Sequence, residues 1–137
     1  MAEKVEGLIG IDSSVLIEYF RKTNKENSFL FKLLHRDFQG FVASIIVHYE
    51  IYKGATNQQI NYWNNIFADI FIISYTPKIN AESLAIYKQL HRVRKAIEIR
   101  DLMIAATSKS LNYPLATINE KHYIHIDGLK LITPGTL

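Results

Sequence analysis

The amino-acid sequence predicts an α/β fold in which a mostly parallel central sheet is covered by helices on both faces. Short apolar runs, each typical of a buried strand, alternate along the chain with segments whose apolar residues recur at helical spacing. The chain has 137 residues, and its few glycines and prolines fall between these segments rather than in a linker. We therefore expect one domain over residues 1–137.

The predicted strands are short apolar runs that alternate with the helices, an order typical of a parallel sheet. The first run, LIGI, is followed directly by the polar residue Asp12. The predicted strands cover 8–11, 40–44, 70–74 and 114–119, with 129–134 as an edge strand.

The helices are predicted from apolar spacing and from residues that begin or end a helix. Gly54 ends the helix after the second strand, and Asn80 is a typical N-terminal cap. The segment 100–111 is rich in small residues, which lets a helix approach the sheet closely. The predicted helices start at Ser14 and then cover 24–34, 45–54, 57–67, 80 to about 95, and 100–111.

Composition limits the kinds of protein that this chain can be. Hydrophobic residues make up 48% and charged residues 21% of the chain, as in an ordinary soluble globular protein. The absence of cysteine excludes disulfides, zinc–thiolate sites and cysteine nucleophiles. No apolar run is long enough to span a membrane, and an N-terminus with Glu3, Lys4 and Glu6 does not resemble a signal peptide. We therefore expect a cytoplasmic protein with no membrane partner.

Three acidic residues lie at or beside the apolar faces of three different elements. Asp12 follows the first strand, where ligands bind in parallel sheets. Glu50 lies inside the apolar arc of the helix 45–54, and Asp101 begins the inward-facing stripe of the helix 100–111. Each has a purely structural alternative. Asp12 would be a helix cap, Glu50 would lie at the rim of the core, and Asp101 would be an acidic residue in the first turn of its helix. If the three converge, they repel, and one or two of them must be neutral unless a cation lies between them; oxygen ligands suit Mg²⁺ or Mn²⁺.

Three stretches resemble, in this order, the PIN-domain family, and most of all its VapC-like toxins of type II toxin–antitoxin pairs. They are IGIDSSVLIEYF, VASIIVHYEIYKG and IEIRDLMIAATSKSLNYPLATINEKHYIHIDGLKLITP. The resemblance implies a three-layer α/β/α sandwich, a divalent metal held by acidic residues, and metal-dependent endoribonuclease activity. Asp12, Glu50 and Asp101 match the three main acids of the family, which implies that they are catalytic and hold the metal.

At the fourth acidic position of the family, this chain has no acidic residue. Relatives carry an aspartate where Asn119 stands or three residues later, where His122 stands. Asn119 is interpreted as a catalytic residue that binds the metal or its water through the amide oxygen, or alternatively as a turn residue. His122 is interpreted as an accessory residue in proton transfer, or alternatively as a histidine at the surface or in a hydrogen-bonded structural role.

Substrate contacts are predicted from hydroxyl and basic residues near the acids. The hydroxyls of Ser14 and Thr117 are placed to bond either the carboxylates or a substrate phosphate, with local capping as the alternative. A net charge of +3 and a pI near 9.1 are compatible with a nucleic-acid partner without requiring one. A basic stretch close to Asp101 is predicted to seat an RNA backbone through Arg92, Arg94, Lys95 and Arg100.

The resemblance also implies protein partners, a small antitoxin that blocks the acidic cleft and a second copy of the chain in a homodimer. The helices 57–67, with Trp63, and 80–95 are the predicted sources of exposed apolar surface.

Three other functions compete with the metal-dependent nuclease. A degenerate PIN domain that binds RNA or a protein without cleavage is suggested by the missing fourth acid. A metal-free ribonuclease would use two histidines, His122 with His125 or His48, but leaves the inward face of Glu50 unexplained. A phosphoaspartate enzyme is disfavoured because Ser14 stands where a second aspartate is needed.

Overall fold

All the strands described belong to one parallel sheet. A computed structural model describes residues 7–36 and 38–137, so Glu3, Lys4 and Glu6 lie outside the described residues. The sheet has the strand order β3-β2-β1-β4-β5, and every pairing is parallel. The strands are β1 (Leu8–Ile11), β2 (Gly40–Ser44), β3 (Ile70–Ile73), β4 (Leu115–Ala116) and β5 (Leu131–Ile132). The prediction of a mostly parallel central sheet is confirmed.

Helices cover the sheet on both sides, as the three-layer α/β/α prediction requires. They are α1 (Ser13–Arg21), α2 (Phe29–Leu34), α3 (Ile45–Gly54), α4 (Ile60–Phe67), α5 (Pro77–Arg92) and α6 (Ile99–Leu111). Single 3₁₀ turns at Lys25–Asn27, Asn57–Gln59, Glu120–His122 and Pro134–Thr136 complete the fold. Within residues 7–36 and 38–137, none of these helices combines the length and the apolar character that a membrane span needs.

The predicted helix 24–34 is interrupted at Ser28. The side chain of Asn24 accepts a hydrogen bond from the backbone N–H of Glu26 and caps a 3₁₀ turn. The hydroxyl of Ser28 then accepts from the N–H of Phe31 and caps the short helix α2. Two polar side chains that bond the backbone locally compete with a continuous helix, which explains why apolar spacing alone predicted one helix instead of two elements.

The predicted helix 80–95 begins and ends three residues earlier than expected. Thr76 is its cap, accepting from the N–H of Ile79, and Pro77 occupies the first turn, where its missing N–H costs nothing. Asn80 instead accepts a hydrogen bond from the Tyr75 hydroxyl. The helix ends at Arg92, and Arg94 follows in the left-handed region with a φ of 58°. The other differences are at element ends: the helix 57–67 begins as a 3₁₀ turn, and the strands 114–119 and 129–134 are shorter than predicted.

The order of the strands creates a crevice between β1 and β4. The chain passes from β1 outward through β2 to β3, and then returns to the opposite side of β1 to form β4. Connections therefore leave the carboxyl ends of β1 and β4 in opposite directions, and ligands bind at such switch points in parallel sheets. The register pairs Ile11 with Ala116, so Asp12 and Thr117 emerge side by side.

Helix α6 comes close to the central strand β1 at Gly10. Gly10 has no side chain, and a Cβ built at this position would lie 3.0 Å from Ser108 Oγ of α6 and overlap the ring of Tyr113. Ala105 and Ala106 of the same helix are fully buried. This close approach fixes the distance between α6, which carries Asp101, and β1, which leads into Asp12.

We predict that Gly10→Ala lowers the free energy of unfolding by about 1–3 kcal/mol, because the added methyl group overpacks a rigid contact. Gly54→Ala is the matched control, since a methyl group added there would have no atom within 4 Å. The control is expected to be neutral or to stabilise the protein by at most about 1 kcal/mol. Urea unfolding of the two variants measures the difference, and equal stabilities would contradict the close packing of α6 on β1.

Candidate active site

Asp12 lies at the carboxyl end of β1, and its carboxylate is almost completely buried, with 3% exposure. Oδ1 accepts hydrogen bonds from the Ser13 N–H at 2.9 Å and from the Tyr123 hydroxyl at 3.2 Å. Oδ2 accepts from Ser14 Oγ at 2.8 Å and from Thr117 Oγ1 at 2.7 Å. Asp12 is thus the cap of α1, as the structural alternative proposed, but capping uses only one of its four bonds. All the donors are neutral, so the charge is solvated without being neutralised by a cation within the part of the chain that the structure describes.

Tyr123 brings the second acid, Asp101, next to Asp12. Its ring is 1% exposed, and its hydroxyl oxygen lies 3.2 Å from Asp12 Oδ1 and 3.3 Å from Asp101 Oδ1. These two carboxylate oxygens are therefore no farther apart than the sum of those distances. A phenol has one proton and can donate it to one of the two oxygens at a time. Burial, followed by the charges of Asp12 and Asp101, raises the pKa of Tyr123 far above its ordinary value, so the hydroxyl stays a neutral donor.

Asp101 occupies the first turn of α6 and is partly buried. Its Oδ2 lies 3.0 Å from Nδ1 of His122. Burial raises the pKa of Asp101 above its ordinary value, and the nearby negative charges of Asp12 and Glu98 raise it further, whereas His122 and the Tyr123 hydroxyl lower it. The Asp12–Asp101 pair is therefore a place where negative charge is costly and a cation is favoured.

Glu50 lies beside this pair, but it is held by other partners. Its Oε1 accepts from the hydroxyl of Ser13 at 3.0 Å, and its Oε2 forms an ion pair with Arg100 at 2.8 Å. The charge of Glu50 is the largest influence that raises the pKa of Arg100. Among the residues described, no three histidine, aspartate or glutamate side chains are grouped closely enough to hold a metal ion. The structure thus pairs Asp12 with Asp101 and connects Glu50 to them through Ser13.

Asn119 and His122, which stand where relatives carry the fourth acid, have different surroundings. Asn119 is exposed, and its backbone N–H donates to Thr117 Oγ1 at 3.0 Å while its side chain caps no helix. His122 is exposed and faces Asp101 directly, a position compatible with proton transfer and with a hydrogen-bonded structural role. A nitrogen donor therefore stands next to Asp101 where the family resemblance leads one to expect a further carboxylate.

The predicted hydroxyl residues bond the carboxylate of Asp12. Ser14 Oγ donates to Asp12 and accepts from the N–H of Ile118 at 3.2 Å, and it lies 3.4 Å from Thr117 Oγ1. Thr117 is fully buried. The geometry therefore displays bonding to the carboxylate and, through the N–H of Asn119 that donates to Thr117 Oγ1, the local turn bonding as well.

The residues of the basic stretch differ in what surrounds them: some line a cavity or are exposed, and Arg100 is held in ion pairs. Arg94 and Lys95 line a cavity of about 310 Å³ that shares Ala96 and Ile97 with a second cavity containing Asp101 and His122. Arg92 ends α5 and is exposed. Arg100 is engaged by Glu50 and, at 3.3 Å, by Glu98, so its charge already has partners.

The predicted apolar surface on helix 57–67 is wrong for Trp63. This ring is only 4% exposed and packs against Phe20, because the apolar stripe of α4 faces the core. Helix α5 does expose Leu84 and Tyr87, which are three residues apart and lie on one face.

Two residues that organise the site were not found from the sequence. The hydroxyl of Tyr123 connects Asp12 with Asp101, and the hydroxyl of Ser13 connects Glu50 with the start of α1. A tyrosine in a loop carries no periodic signal of where its hydroxyl points.

Comparison with known proteins gives one family and one fold. The PIN domain family matches residues 9–129. The chain is 36% identical over 132 residues to Ribonuclease VapC1 of Methanocaldococcus jannaschii, covering 94% of this chain and 90% of the relative.

Solved structures with similar folds include DNA-bound VapBC from Salmonella typhimurium, with a TM-score of 0.82 and 15% identity. That match covers 91% of this chain and 96% of the other. A toxin–antitoxin complex from Klebsiella pneumoniae has a TM-score of 0.72 and 22% identity, over 92% and 97% of the two chains. At these identities, the likeness establishes the fold.

We predict that Tyr123→Phe destabilises the protein by about 1–3 kcal/mol, because the one donor that Asp12 and Asp101 share among the described residues is lost from a buried charged site. Tyr62→Phe is the matched control, since the buried Tyr62 hydroxyl has no partner among the described residues. Its removal is expected to leave stability unchanged or to raise it by up to about 1–3 kcal/mol, because an unsatisfied buried hydroxyl is costly. Urea unfolding in the presence of EDTA measures both variants, and similar losses of stability would show that the Tyr123 hydroxyl does not bridge the acids.

Proposed function

Because the chain belongs to the PIN-domain family, we propose that it is a divalent-metal-dependent endoribonuclease and the toxin of a toxin–antitoxin pair. The observation that carries this proposal is the Asp12–Asp101 pair, two carboxylates that share one phenolic proton in a largely buried site. The relative that matches nearly the whole chain is a ribonuclease, which supports hydrolysis of RNA as the reaction.

The chemistry of the donor set fits Mg²⁺ or Mn²⁺. Asp12 and Asp101 offer carboxylate oxygens, which hard divalent ions prefer, and neither oxygen pair is neutralised by lysine or arginine within residues 7–36 and 38–137. These two residues would hold the ion, with Glu50 as a direct ligand or a ligand through water. When bound, such an ion supplies an activated water and neutralises charge that develops on the phosphate.

Residues of the chain itself place the groups that act on substrate. Ser14 and Thr117 fix the orientation of the Asp12 carboxylate, and Ser13 with Arg100 fixes that of Glu50. Glu50 is either a ligand or the base that orients and deprotonates the attacking water. Asn119, exposed at the rim, is proposed to bind water or substrate there, and His122 is proposed to accept or donate a proton beside Asp101.

RNA is the proposed substrate, and the basic segment after α5 is its proposed contact. Arg94 and Lys95 border a cavity adjoining the one that contains Asp101, and Arg92 lies at the end of the same helix. Contacts with phosphates provide most non-specific affinity for nucleic acid. Arg100 joins this surface only when it releases Glu50.

The proposed protein partners are a cognate antitoxin and a second copy of the chain. Toxin–antitoxin complexes among proteins of the same fold support the antitoxin. An extended segment that brings an arginine or lysine to Asp12 and Asp101 would satisfy their charges. The exposed pair Leu84 and Tyr87 on α5 is the proposed apolar contact of the homodimer. The cytoplasm is the proposed location.

One observation favours a second function, binding of RNA or a protein without cleavage. Glu50 forms an ion pair with Arg100, and the side chain of Asn119 is uncharged. In the described part of the chain, therefore, no three carboxylates are grouped closely enough to hold a metal ion. A chain that keeps this arrangement would bind but not cut.

We predict that purified protein cleaves total cellular RNA with Mg²⁺ or Mn²⁺, is inactive in EDTA, and recovers activity when Mn²⁺ is restored. Asp101→Asn is expected to lower the rate at least about 100-fold, since it removes an oxygen charge from the site. Asp69→Asn is the matched control, because Asp69 is exposed and precedes β3 at the opposite end of the sheet.

Cleavage that persists in EDTA would favour the metal-free histidine mechanism. The absence of cleavage with both metals, together with retained RNA binding, would favour the non-cleaving alternative. Growth arrest by the native chain that Asp12→Asn abolishes would argue against that alternative.

Removing Arg100, the ion-pair partner of Glu50, tests whether Glu50 is a metal ligand or the base. If Glu50 is a ligand, then Arg100→Ala raises the affinity for Mn²⁺, because the ion no longer competes with a guanidinium. The expected gain is at most about fivefold, which corresponds to about 1 kcal/mol for a half-exposed ion pair. Isothermal titration calorimetry measures it, with Lys109→Ala, which breaks the distant Lys109–Glu82 pair, as the control. An unchanged affinity would assign Glu50 to the role of base.

A further inference from the structure

A cavity of about 470 Å³ opens beside Ser14, and it shares no lining residue with the cavity that Arg94 and Lys95 border. Ser14 and Asn119 form its polar wall, Ile17 and Ile118 its apolar wall, and Arg21 and Lys22 its outer edge. Since the Ser14 hydroxyl also donates to Asp12, this cavity, here called the Ser14 pocket, shares a wall with the candidate active site. Its volume lies within the range of pockets that bind small molecules.

Arg21 and Lys22 end helix α1, where cations ordinarily stabilise the helix dipole. In this chain Lys25 has that role. Its ammonium group donates to the carbonyl of Tyr19 at 2.5 Å and to that of Phe20 at 2.9 Å. The carbonyl of Glu18 is satisfied by the backbone N–H of Lys22 at 3.0 Å. The side chains of Arg21 and Lys22 are therefore not needed to complete the helix end.

The charges of Arg21 and Lys22 are also unpaired within residues 7–36 and 38–137, where neither forms an ion pair. Glu18 lines the same pocket, but its carboxylate accepts the N–H of Phe29 at 2.8 Å and so caps the chain entering α2. Both cations are exposed. Arg21 and Lys22 thus give the outer edge of the pocket two positive charges that form no ion pair among the described residues, against the one negative charge of Glu18, and this edge adjoins a site proposed to cut a phosphodiester.

The inner walls of the Ser14 pocket fit the base and ribose of a nucleotide. Ile17 and Ile118 are partly buried apolar side chains against which a base or ribose can pack. Asn119 is exposed beside them, and its carboxamide has both donors and an acceptor for a base edge or a ribose hydroxyl. Arg21 additionally borders a neighbouring cavity that contains Glu50, so it lies between that carboxylate and the Ser14 pocket.

We propose that the Ser14 pocket binds one nucleotide of the RNA strand next to the bond that is cut. Arg21 and Lys22 bind its phosphate, and Ile17 and Ile118 pack against its ring. The position next to the cut bond rests on the proposed function, but binding in the pocket requires neither the metal ion nor cleavage. The RNA backbone then contacts two separate groups of cations near the Asp12–Asp101 pair, the segment 92–95 and the pair Arg21 and Lys22.

The first test is the affinity for a short, fluorescently labelled single-stranded RNA, measured by anisotropy in EDTA so that no RNA is cut. Arg21→Ala is expected to weaken binding several-fold and to reduce the slope of log affinity against log salt by about 0.7, the value for one lost phosphate contact on a single strand. Arg36→Ala is the matched control, because Arg36 is an exposed arginine in the loop before β2, at the opposite end of the sheet. Equal affinities and salt slopes for the two variants would overturn the proposal.

The second test separates the nucleotide from a simple phosphate. In ¹⁵N-labelled protein, a nucleoside 5′-monophosphate is expected to shift the signals of the Asn119 carboxamide and the Ile118 backbone amide, and Arg21→Ala is expected to reduce the shifts. Inorganic phosphate should cause smaller shifts at Ile118. If inorganic phosphate has the same effect as the nucleotide, packing of the ring in the pocket is wrong.

The two proposals fail separately. If the wild-type protein cleaves RNA with Mg²⁺ but Arg21→Ala binds RNA as Arg36→Ala does, the pocket is not a nucleotide site and the nuclease proposal stands. If Arg21→Ala loses affinity while no variant cleaves RNA with Mg²⁺ or Mn²⁺, the pocket stands and the chain binds RNA without cutting.

Discussion

Two carboxylates that meet at one phenolic hydroxyl are the constraint on which the rest of the site depends. Asp12 and Asp101 come from a strand end and from a helix start that are far apart in sequence, and Tyr123 lies between them with a single proton to donate. The other donors around Asp12 are a backbone amide and two hydroxyls, which solvate its charge without cancelling it. This arrangement is costly for a fold and is suited to a bound cation.

The parallel sheet explains how these groups come together. Because β1 and β4 are neighbours with Ile11 opposite Ala116, the residues that follow them, Asp12 and Thr117, bond each other directly. Close packing of α6 on β1 at Gly10 then brings Asp101 to the same edge. The site is therefore assembled by strand order and by one tight helix–sheet contact.

Much of this could be predicted from the sequence, but not all of it. The parallel sheet, the place of Asp12 at a strand end and the inward start of α6 at Asp101 follow from apolar periodicity, which reports which face is buried. Periodicity does not report hydrogen bonds between distant segments, so the bridge made by Tyr123 and the ion pair of Glu50 with Arg100 were not expected. The same limit explains the predicted helix 24–34, where the capping bond of Ser28 overrides the apolar pattern. The site residues themselves stay predictions.

The most direct measurement is an anomalous difference map from crystals of the protein soaked in Mn²⁺. We predict a strong peak about 2.1 Å from carboxylate oxygens of both Asp12 and Asp101, since hard divalent ions bind oxygen at this distance. A peak that contacts neither residue, or none at all while the Tyr123 hydroxyl still bridges the two acids, would contradict it.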